Sequence, residues 1–152
     1  DTYPSWGWWI MNGATTLLEN WNLDAARDIS DNHMMFGEIG AWFFKGLGGI
    51  YPDTEKPGFK HIILHPHFEK DLEHFSAEYK SPYGLIKSNW KWENDRIIYE
   101  VVVPANSSAT LYLPENTKID PKEKRKVKKD KRENNIVELS AGFYTFIIRT
   151  RV

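Results

Sequence analysis

Cysteine is absent from this chain of 152 residues, and the sequence contains no long hydrophobic run. Without cysteine the chain has neither a disulfide framework nor a thiolate nucleophile. A membrane-spanning helix needs about 20 consecutive apolar residues, so no membrane span is predicted. The lack of cysteine fits the cytoplasm and a bacterial periplasm equally well, so the compartment stays open.

The sequence also lacks an excess of charge of either sign, because its net charge is −1. This balance excludes strong steering of the whole chain toward nucleic acid or an anionic membrane. One basic run extends from Lys122 to Arg132, but it contains no aromatic residue and is diluted by Glu123 and Asp130. We interpret it as a solvated loop between two strands, and we predict no nucleic-acid partner.

Charge and tryptophan are unevenly distributed along the chain. In residues 1–50, six acidic residues against two basic ones give a net charge of −4, and five of the seven tryptophans lie there. From Tyr51 onward a segment rich in turn residues is followed by period-two hydrophobicity. These two compositions predict two structural units, residues 1–50 and residues 51–152.

Helices are predicted in the first unit. Residues 1–9 are predicted to form a loop, and a helix is predicted over Asn12–Trp21, with Asn12 as the N-cap and apolar residues at helical spacing. A second amphipathic helix is predicted over Asn32–Leu47, stopped by Gly48 and the glycine after it. Two such helices cannot close a core alone, so their apolar faces need partners.

The second unit is predicted to be an antiparallel β-sandwich, because short alternating strands are separated by turn signals. Ser81–Gly84 and Asn94–Asp95 are the predicted hairpin turns. Along residues 85–92, one face of the strand carries Ile86, Ser88, Trp90 and Trp92. The predicted strands are His61–Leu64, Phe75–Lys80, Leu85–Trp92, Ile97–Val103, Ala109–Leu113, Ile136–Leu139 and Phe143–Arg149.

One stretch, residues 3–21, stands out because it places four tryptophans around a single carboxylate, Glu19. Flat aromatic faces beside an acid suit a ring-shaped ligand rich in hydroxyl groups, such as a sugar. The alternative is an amphipathic core helix with an incidental glutamate at its end. Residue chemistry alone leaves both interpretations open.

Three groups of motifs lie along the chain. They are Pro4-Ser-Trp-Gly with Gly13-Ala-Thr-Thr-Leu-Leu-Glu-Asn-Trp21, then Asn32-His-Met-Met-Phe-Gly-Glu-Ile-Gly40, then Gly58-Phe-Lys-His-Ile-Ile-Leu-His-Pro66 with Ser81-Pro-Tyr-Gly84 and Trp90-Lys-Trp92. With these motifs the chain resembles the C-terminal end of a bacterial α-L-rhamnosidase of glycoside hydrolase family 78. The resemblance covers most of the chain, and it implies a fold in which an (α/α)6 barrel precedes an antiparallel β-sandwich. Residues 1–50 would then be the closing helices of the barrel, residues 51–152 the sandwich, and the chain a piece of a longer protein.

The resemblance implies inverting hydrolysis of terminal α-L-rhamnosides by two carboxylic acids, without a cofactor or metal. Glu19 occupies the motif position of the general base, and His33, Trp6 and Trp21 match positions that bind the sugar. The general acid would lie upstream, outside this chain, so the isolated chain is predicted to be inactive. The implied partners are a rhamnose-containing glycoside and the remainder of the barrel.

Several alternatives remain beside this interpretation. His33 could instead cap or pack a helix, and Trp21 could build the wall between barrel helices. The chain could also be a non-catalytic carbohydrate-binding or structural β-sandwich module that binds sugar at Trp90 or Trp92. A metal site at the histidines of residues 61–67 is disfavoured, because Pro66 interrupts the strand that carries them.

Overall fold

The computed structural model describes residues 2–24, 30–114, 117–119, 127–132 and 135–150. The chain forms two compact units, Asp1–Trp42 and Phe43–Val152, called here the N-terminal unit and the β-sheet unit. Short helices precede a strand-rich unit, which confirms the predicted α+β fold class. None of the helices in the described residues has the length and apolarity to cross a membrane.

The first helix, α1, extends over Trp6–Met11. It begins at Ser5, whose Oγ accepts a hydrogen bond from the backbone N–H of Trp8 at 2.9 Å. Gly13 follows the helix with a φ of 86°, a left-handed conformation that glycine adopts without strain and that ends the helix. The predicted loop over residues 1–9 and the predicted helix over Asn12–Trp21 are therefore wrong. Backbone groups of Leu17 and Glu19 bond to residues 30–33 instead of to helical neighbours.

The second predicted helix, Asn32–Leu47, is confirmed as a helical segment, although its geometry is irregular. A 3-10 helix over Met34–Glu38 leads into α2 at Ile39–Trp42, and a π-helical turn over Phe43–Leu47 follows. Three glycines between residues 37 and 46 weaken the α-helical preference of this segment. The helical geometry consequently changes along the segment, and the boundary between the two units falls within it.

The described residues of the β-sheet unit form eight strands. β5 is paired with β2, β4 and β8, while β1 and β3 extend the sheet beyond β2 and β4. Every pair is antiparallel except β2 with β5. The strands are β1 (Ile50–Pro52), β2 (His61–Leu64), β3 (His74–Ser81), β4 (Gly84–Glu93), β5 (Arg96–Tyr112), β6 (Thr117–Ile119), β7 (Lys128–Lys129) and β8 (Asn135–Thr150).

Four of the predicted strands are joined in pairs, because β5 and β8 each continue through a gap between two predicted strands. β5 includes both Ile97–Val103 and Ala109–Leu113 except for its last residue, and its register shifts between Val103 and Ser108, around Asn106 with a φ of 60°. β8 joins the last two predicted strands in the same way. The predicted loop in the basic run is only partly described, since residues 122–126 lie outside the described residues and Lys128–Lys129 pair with β8.

The hydrophobic core of the β-sheet unit is centred on β4, β5 and β8. Ile86, Ser88 and Trp90 are buried and Trp92 is half-buried, so the four residues predicted to share one face of β4 face the core. Tyr99 and the side chains of the neighbouring strands complete one continuous cluster. Alternation along the strand thus grouped the residues of this face correctly.

Buried polar groups on this face hold the chain segment that enters the sheet. The indole N–H of Trp90 donates to the carbonyl of Leu47 at 2.9 Å, and Ser88 Oγ donates to the carbonyl of Gly48 at 2.5 Å. Because the single hydroxyl hydrogen of Ser88 is used there, the Tyr99 hydroxyl is the donor in its 2.9 Å bond to Ser88. Burial raises the pKa of Tyr99, which keeps this donor protonated.

Trp90→Phe is expected to lower the free energy of unfolding of the β-sheet unit by about 2–3 kcal/mol. The substitution leaves the buried carbonyl of Leu47 without its donor and opens a small cavity beside it. Urea unfolding followed by circular dichroism measures the change. Lys91→Ala, at an exposed position on the opposite face of β4, is the control and should cost less than about 1 kcal/mol. Equal losses in the two variants would contradict this assignment.

Candidate active site

Two short segments of the N-terminal unit, residues 16–19 and 30–33, lie side by side. The backbone N–H of His33 donates to the carbonyl of Leu17 at 2.7 Å, and that of Glu19 donates to the carbonyl of Ser30 at 3.0 Å. The hydroxyl of Thr16 also donates to the carbonyl of Asp31. These bonds place Glu19 and His33, predicted as base and sugar ligand, on adjoining segments.

The carboxylate of Glu19 is half-buried and is held by the backbone. Its Oε2 accepts a hydrogen bond from the backbone N–H of Ser30 at 2.7 Å. Its other oxygen, Oε1, has no hydrogen-bond partner among the residues that the structure describes. One oxygen thus fixes the orientation of the group, while the second is available to a water molecule or a ligand hydroxyl.

His33 is half-buried and precedes the 3-10 helix as its N-cap. Its Nδ1 accepts a hydrogen bond from the backbone N–H of Met35 at 3.2 Å. A neutral imidazole that accepts at Nδ1 carries its hydrogen on Nε2. The predicted cap role is therefore present, and it leaves an Nε2–H donor on the opposite side of the ring.

Four aromatic rings, those of Trp6, Trp9, Trp21 and Phe36, form a cluster. Trp21 stacks on Trp9 at 4.3 Å between ring centroids and lies 4.5 Å from Phe36. Trp6 meets Trp21 edge to face at 5.6 Å. Trp9 is 2% exposed and its indole N–H donates to the carbonyl of Trp21, whereas Trp6 is 38% exposed. The cluster thus has a buried anchor and an accessible side.

The cluster joins the two segments, because Trp21 lies two residues after Glu19 and Phe36 lies three residues after His33. Trp6 and Trp21, both predicted to bind the sugar, are in direct ring contact. The sequence prediction missed the roles of Trp9 and Phe36. The spacing of three residues between Trp6 and Trp9 was the available signal, but it indicates a shared face only once the helix is placed at residues 6–11.

Other predicted binding positions lie in the β-sheet unit. Trp90 is 2% exposed and belongs to the core, so it does not offer a face to a ligand. Trp92 is half-buried, and its indole N–H donates to the carbonyl of Glu69 at 3.1 Å. Of these two tryptophans, only Trp92 is placed to contact a ligand.

The histidines considered for a metal site, His61, His65 and His67, differ in their burial and hydrogen bonding. Both ring nitrogens of His61 are hydrogen-bonded, to the hydroxyls of Ser108 at 2.7 Å and Thr110 at 2.9 Å. His65 and His67 are exposed. Among the residues that the structure describes, no group of three or more histidine or acidic side chains is arranged to hold a metal ion.

Two family models match the chain. Residues 1–47 match the bacterial α-L-rhamnosidase 6-hairpin glycosidase domain, and residues 49–128 match the bacterial α-L-rhamnosidase C-terminal domain. The first match contains all four predicted site residues. The second covers the strands from β1 to β6.

Curated relatives are named α-L-rhamnosidases. An α-L-rhamnosidase of Formosa agariphila is 34% identical over 163 residues, which covers 96% of this chain and 17% of that protein. An α-L-rhamnosidase of Alteromonas sp. (strain LOR) is 36% identical over 121 residues, covering 75% of this chain and 13% of that protein. The chain therefore spans less than a fifth of the length of these relatives.

Solved structures show the same fold. The α-L-rhamnosidase of Dictyoglumus thermophilum superimposes with a TM-score of 0.79 and 28% identity, covering 98% of this chain and 18% of that one. A Streptomyces avermitilis α-L-rhamnosidase in complex with L-rhamnose gives a TM-score of 0.77 at 22% identity, over 96% of this chain and 15% of that one. Both superpositions extend over nearly the whole chain.

Proposed function

The chain belongs to the bacterial α-L-rhamnosidase family, and from this premise we propose that it supplies the general base and part of the sugar pocket of an inverting α-L-rhamnosidase. The substrate is a terminal α-L-rhamnoside, as the names of the relatives indicate. The observation that carries the proposal is the pairing of residues 16–19 with residues 30–33, which brings the segments of Glu19 and His33 together, and each segment continues into the aromatic cluster, at Trp21 and at Phe36.

Glu19 is proposed as the general base. Inversion requires a carboxylate that activates water on one face of the sugar and an acid that protonates the leaving oxygen on the other, about 6.5–9.5 Å away. The hydrogen bond from Ser30 orients the Glu19 carboxylate, and Oε1 is then in position to accept a proton from water. The general acid comes from residues upstream of this chain.

His33 is proposed to bind the sugar through its Nε2–H. The Met35 N–H holds the ring from the other side, so the donor direction is fixed before substrate binds. A donor at this position suits a ring hydroxyl, which accepts through its lone pairs.

Trp6 and Trp21 are proposed to form the apolar wall of the pocket. Rhamnose carries a methyl group at C6, and its C–H faces favour aromatic rings over water. Trp9 supports the ring of Trp21 from the buried side of the cluster, and Trp21 in turn contacts Trp6, whose exposed part is left to meet the sugar. Mutating Trp9 would therefore disturb the pocket without removing a ligand contact.

The pocket is proposed to be completed by the remainder of the barrel. In this assignment, residues 1–50 are the end of an (α/α)6 barrel and residues 51–152 are a β-sandwich. Large apolar side chains of the N-terminal unit, including Ile10, Met11 and Met34, are exposed, and Met34 is 87% exposed. Upstream barrel helices would cover such side chains. The isolated chain is accordingly expected to show no turnover.

His33→Asn in the complete enzyme tests the proposal, with an aryl α-L-rhamnoside as substrate. Asparagine keeps a side-chain acceptor at the N-cap but lacks the Nε2–H donor. We expect KM to rise about tenfold or more with a smaller change in kcat, because the donor binds the sugar before and during the reaction. Initial rates over a range of substrate concentrations separate the two constants.

Met35→Ala is the matched control, because the hydrogen bond to His33 comes from the backbone N–H of Met35, which alanine retains. It should leave KM unchanged. A normal KM in His33→Asn would reduce His33 to a helix cap, and an absence of rhamnoside hydrolysis in the wild-type enzyme would overturn the proposed function itself.

A further inference from the structure

Two neighbouring cavities open on the β-sheet unit. The larger, about 890 Å3, is lined by Tyr112 together with charged residues near positions 53–55 and 130–132. The smaller, about 410 Å3, is lined by Phe68 and Trp92. Both cavities are also lined by His65 and Pro114, so they meet at these two residues. Together they form one groove, called here the sheet groove.

Each cavity contains one aromatic ring that is fixed in place. The indole N–H of Trp92 donates to the carbonyl of Glu69 at 3.1 Å, and the ring packs against the core. The ring of Tyr112 lies 5.6 Å from that of His65 at an interplanar angle of 48°. Rings held in this way lose little conformational freedom when a ligand binds against them.

The polar groups of the larger cavity have both signs of charge. Asp53, Glu55 and Asp130 supply carboxylate acceptors, while Lys131 and Arg132 supply donors. Balanced charge does not select a strongly anionic or cationic ligand. Donors and acceptors in the same cavity as an aromatic ring suit the hydroxyls and C–H faces of a neutral sugar.

We propose that the sheet groove binds a neutral oligosaccharide, with one pyranose ring against Trp92 and another against Tyr112. The volumes of the two cavities lie in the range of small-molecule sites. The groove contains none of the proposed catalytic residues, so it is a binding site and not a second centre of hydrolysis. When the sheet groove holds one part of a glycan, the local concentration of the other sugar residues of that glycan rises near the protein. Only the choice of a rhamnose probe rests on the proposed function.

Calorimetric titration of the 152-residue chain with a linear tetrasaccharide of α-L-rhamnose tests the groove, with cellotetraose and free L-rhamnose titrated in parallel. We expect saturable binding of a tetrasaccharide and binding of the monosaccharide weaker by about tenfold or more, because a single ring occupies one cavity only. Binding of cellotetraose alone would support the groove and count against rhamnose as its ligand. If neither tetrasaccharide binds, the proposal that the sheet groove binds an oligosaccharide is overturned.

Substitutions of residues that line the sheet groove test where the tetrasaccharide binds. Tyr112→Ala and Arg132→Ala should each weaken the tetrasaccharide by about fivefold to tenfold, and Trp92→Leu should weaken it further. The first two positions are not fully buried, so they keep the test valid where Trp92→Leu unfolds. Phe143→Ala, at an aromatic residue 66% exposed and outside the groove, is the control. Unchanged affinity in Tyr112→Ala and Arg132→Ala would overturn the proposal.

A further variant, His33→Asn, separates the sheet groove from the proposed active site, because it is expected to weaken sugar binding at the active site. Its tetrasaccharide affinity should equal that of the wild-type chain. Loss of binding in His33→Asn with normal binding in Tyr112→Ala would assign the sugar to the N-terminal unit and contradict the groove, while leaving the proposed catalytic site intact.

Discussion

Gly49→Ala is expected to prevent the β-sheet unit from reaching its native fold. Gly49 has a φ of 64°, and a Cβ atom at this position would lie 2.1 Å from the backbone nitrogen of Pro66 and 2.3 Å from the carbonyl carbon of His65. These are backbone atoms, so no rotamer change can relieve the overlap. The carbonyl of Gly49 also accepts a hydrogen bond from the N–H of His65 at 2.8 Å, which ties the two segments together.

Gly49→Ala should lower the free energy of unfolding by more than about 4 kcal/mol, because removing the overlap requires the segments around Gly49 and Pro66 to separate. Gly58→Ala is the matched control. Gly58 has a φ of 70°, close to that of Gly49, but nothing lies within 4 Å of its added Cβ atom. Gly58→Ala should lower the free energy of unfolding only by the backbone strain, about 1 kcal/mol.

Urea unfolding of both variants, followed by circular dichroism, compares the two effects. A native transition in Gly58→Ala beside a lost or strongly shifted transition in Gly49→Ala is the expected result. Similar midpoints in the two variants would show that the chain near Gly49 can move aside and that the close approach is not required.

The strands of the β-sheet unit could be predicted from the sequence where alternation and turn residues agree. The face of β4 that carries Ile86, Ser88 and Trp90 is an example, and so are the turns after Ser81 and at Asn94. β5 was predicted as two strands, Ile97–Val103 and Ala109–Leu113. Pairing with β8 on both sides of the register shift keeps this segment extended, and such tertiary pairing is not visible in local sequence.

The N-terminal unit was harder to predict, for a physical reason. Residues 14–21 have helical spacing of apolar side chains, but backbone groups of Leu17 and Glu19 bond to residues 30–33. A helix of this length is marginal without tertiary packing, so these competing bonds decide the outcome. The ring contacts of Trp9 and Phe36 depend on the same arrangement and could not be derived from spacing.

For the candidate site, the sequence proposed residues and roles but no geometry. Residue chemistry singled out Glu19 among the tryptophans while leaving a structural interpretation open, and the family resemblance supplied roles for Glu19, His33, Trp6 and Trp21. The hydrogen bonds from Ser30 to Glu19 and from Met35 to His33 emerged only from the structure. These roles remain proposals, and the hydrogen bonds determine which substitutions can test them.

Glu19→Gln in the complete enzyme is expected to lower kcat by about three orders of magnitude or more. A glutamine keeps a carbonyl oxygen for the Ser30 N–H and has nearly the same shape, so the fold and the sugar pocket should be preserved. The amide cannot accept a proton from water, and general base catalysis is worth about 10²–10⁴ in rate, to which the lost orientation of the water adds. KM should change little, since the sugar contacts remain.

Glu38→Gln is the control for removing a negative charge from the same unit. Glu38 is exposed, and its substitution should leave kcat within about twofold of the wild-type value. A comparable loss in both variants would indicate a general electrostatic or folding effect instead of a specific role for Glu19.

The most direct test of Glu19 as the base uses an aryl α-L-rhamnoside whose leaving group needs no protonation. Such a substrate bypasses the general acid, but water must still be activated by the base. The rate of phenolate release by the wild-type enzyme and by Glu19→Gln is the one measurement required. A deep loss of kcat in Glu19→Gln with substrate binding retained is the predicted result, whereas near-normal turnover would contradict the assignment and leave Glu19 as a residue that only joins residues 16–19 to residues 30–33.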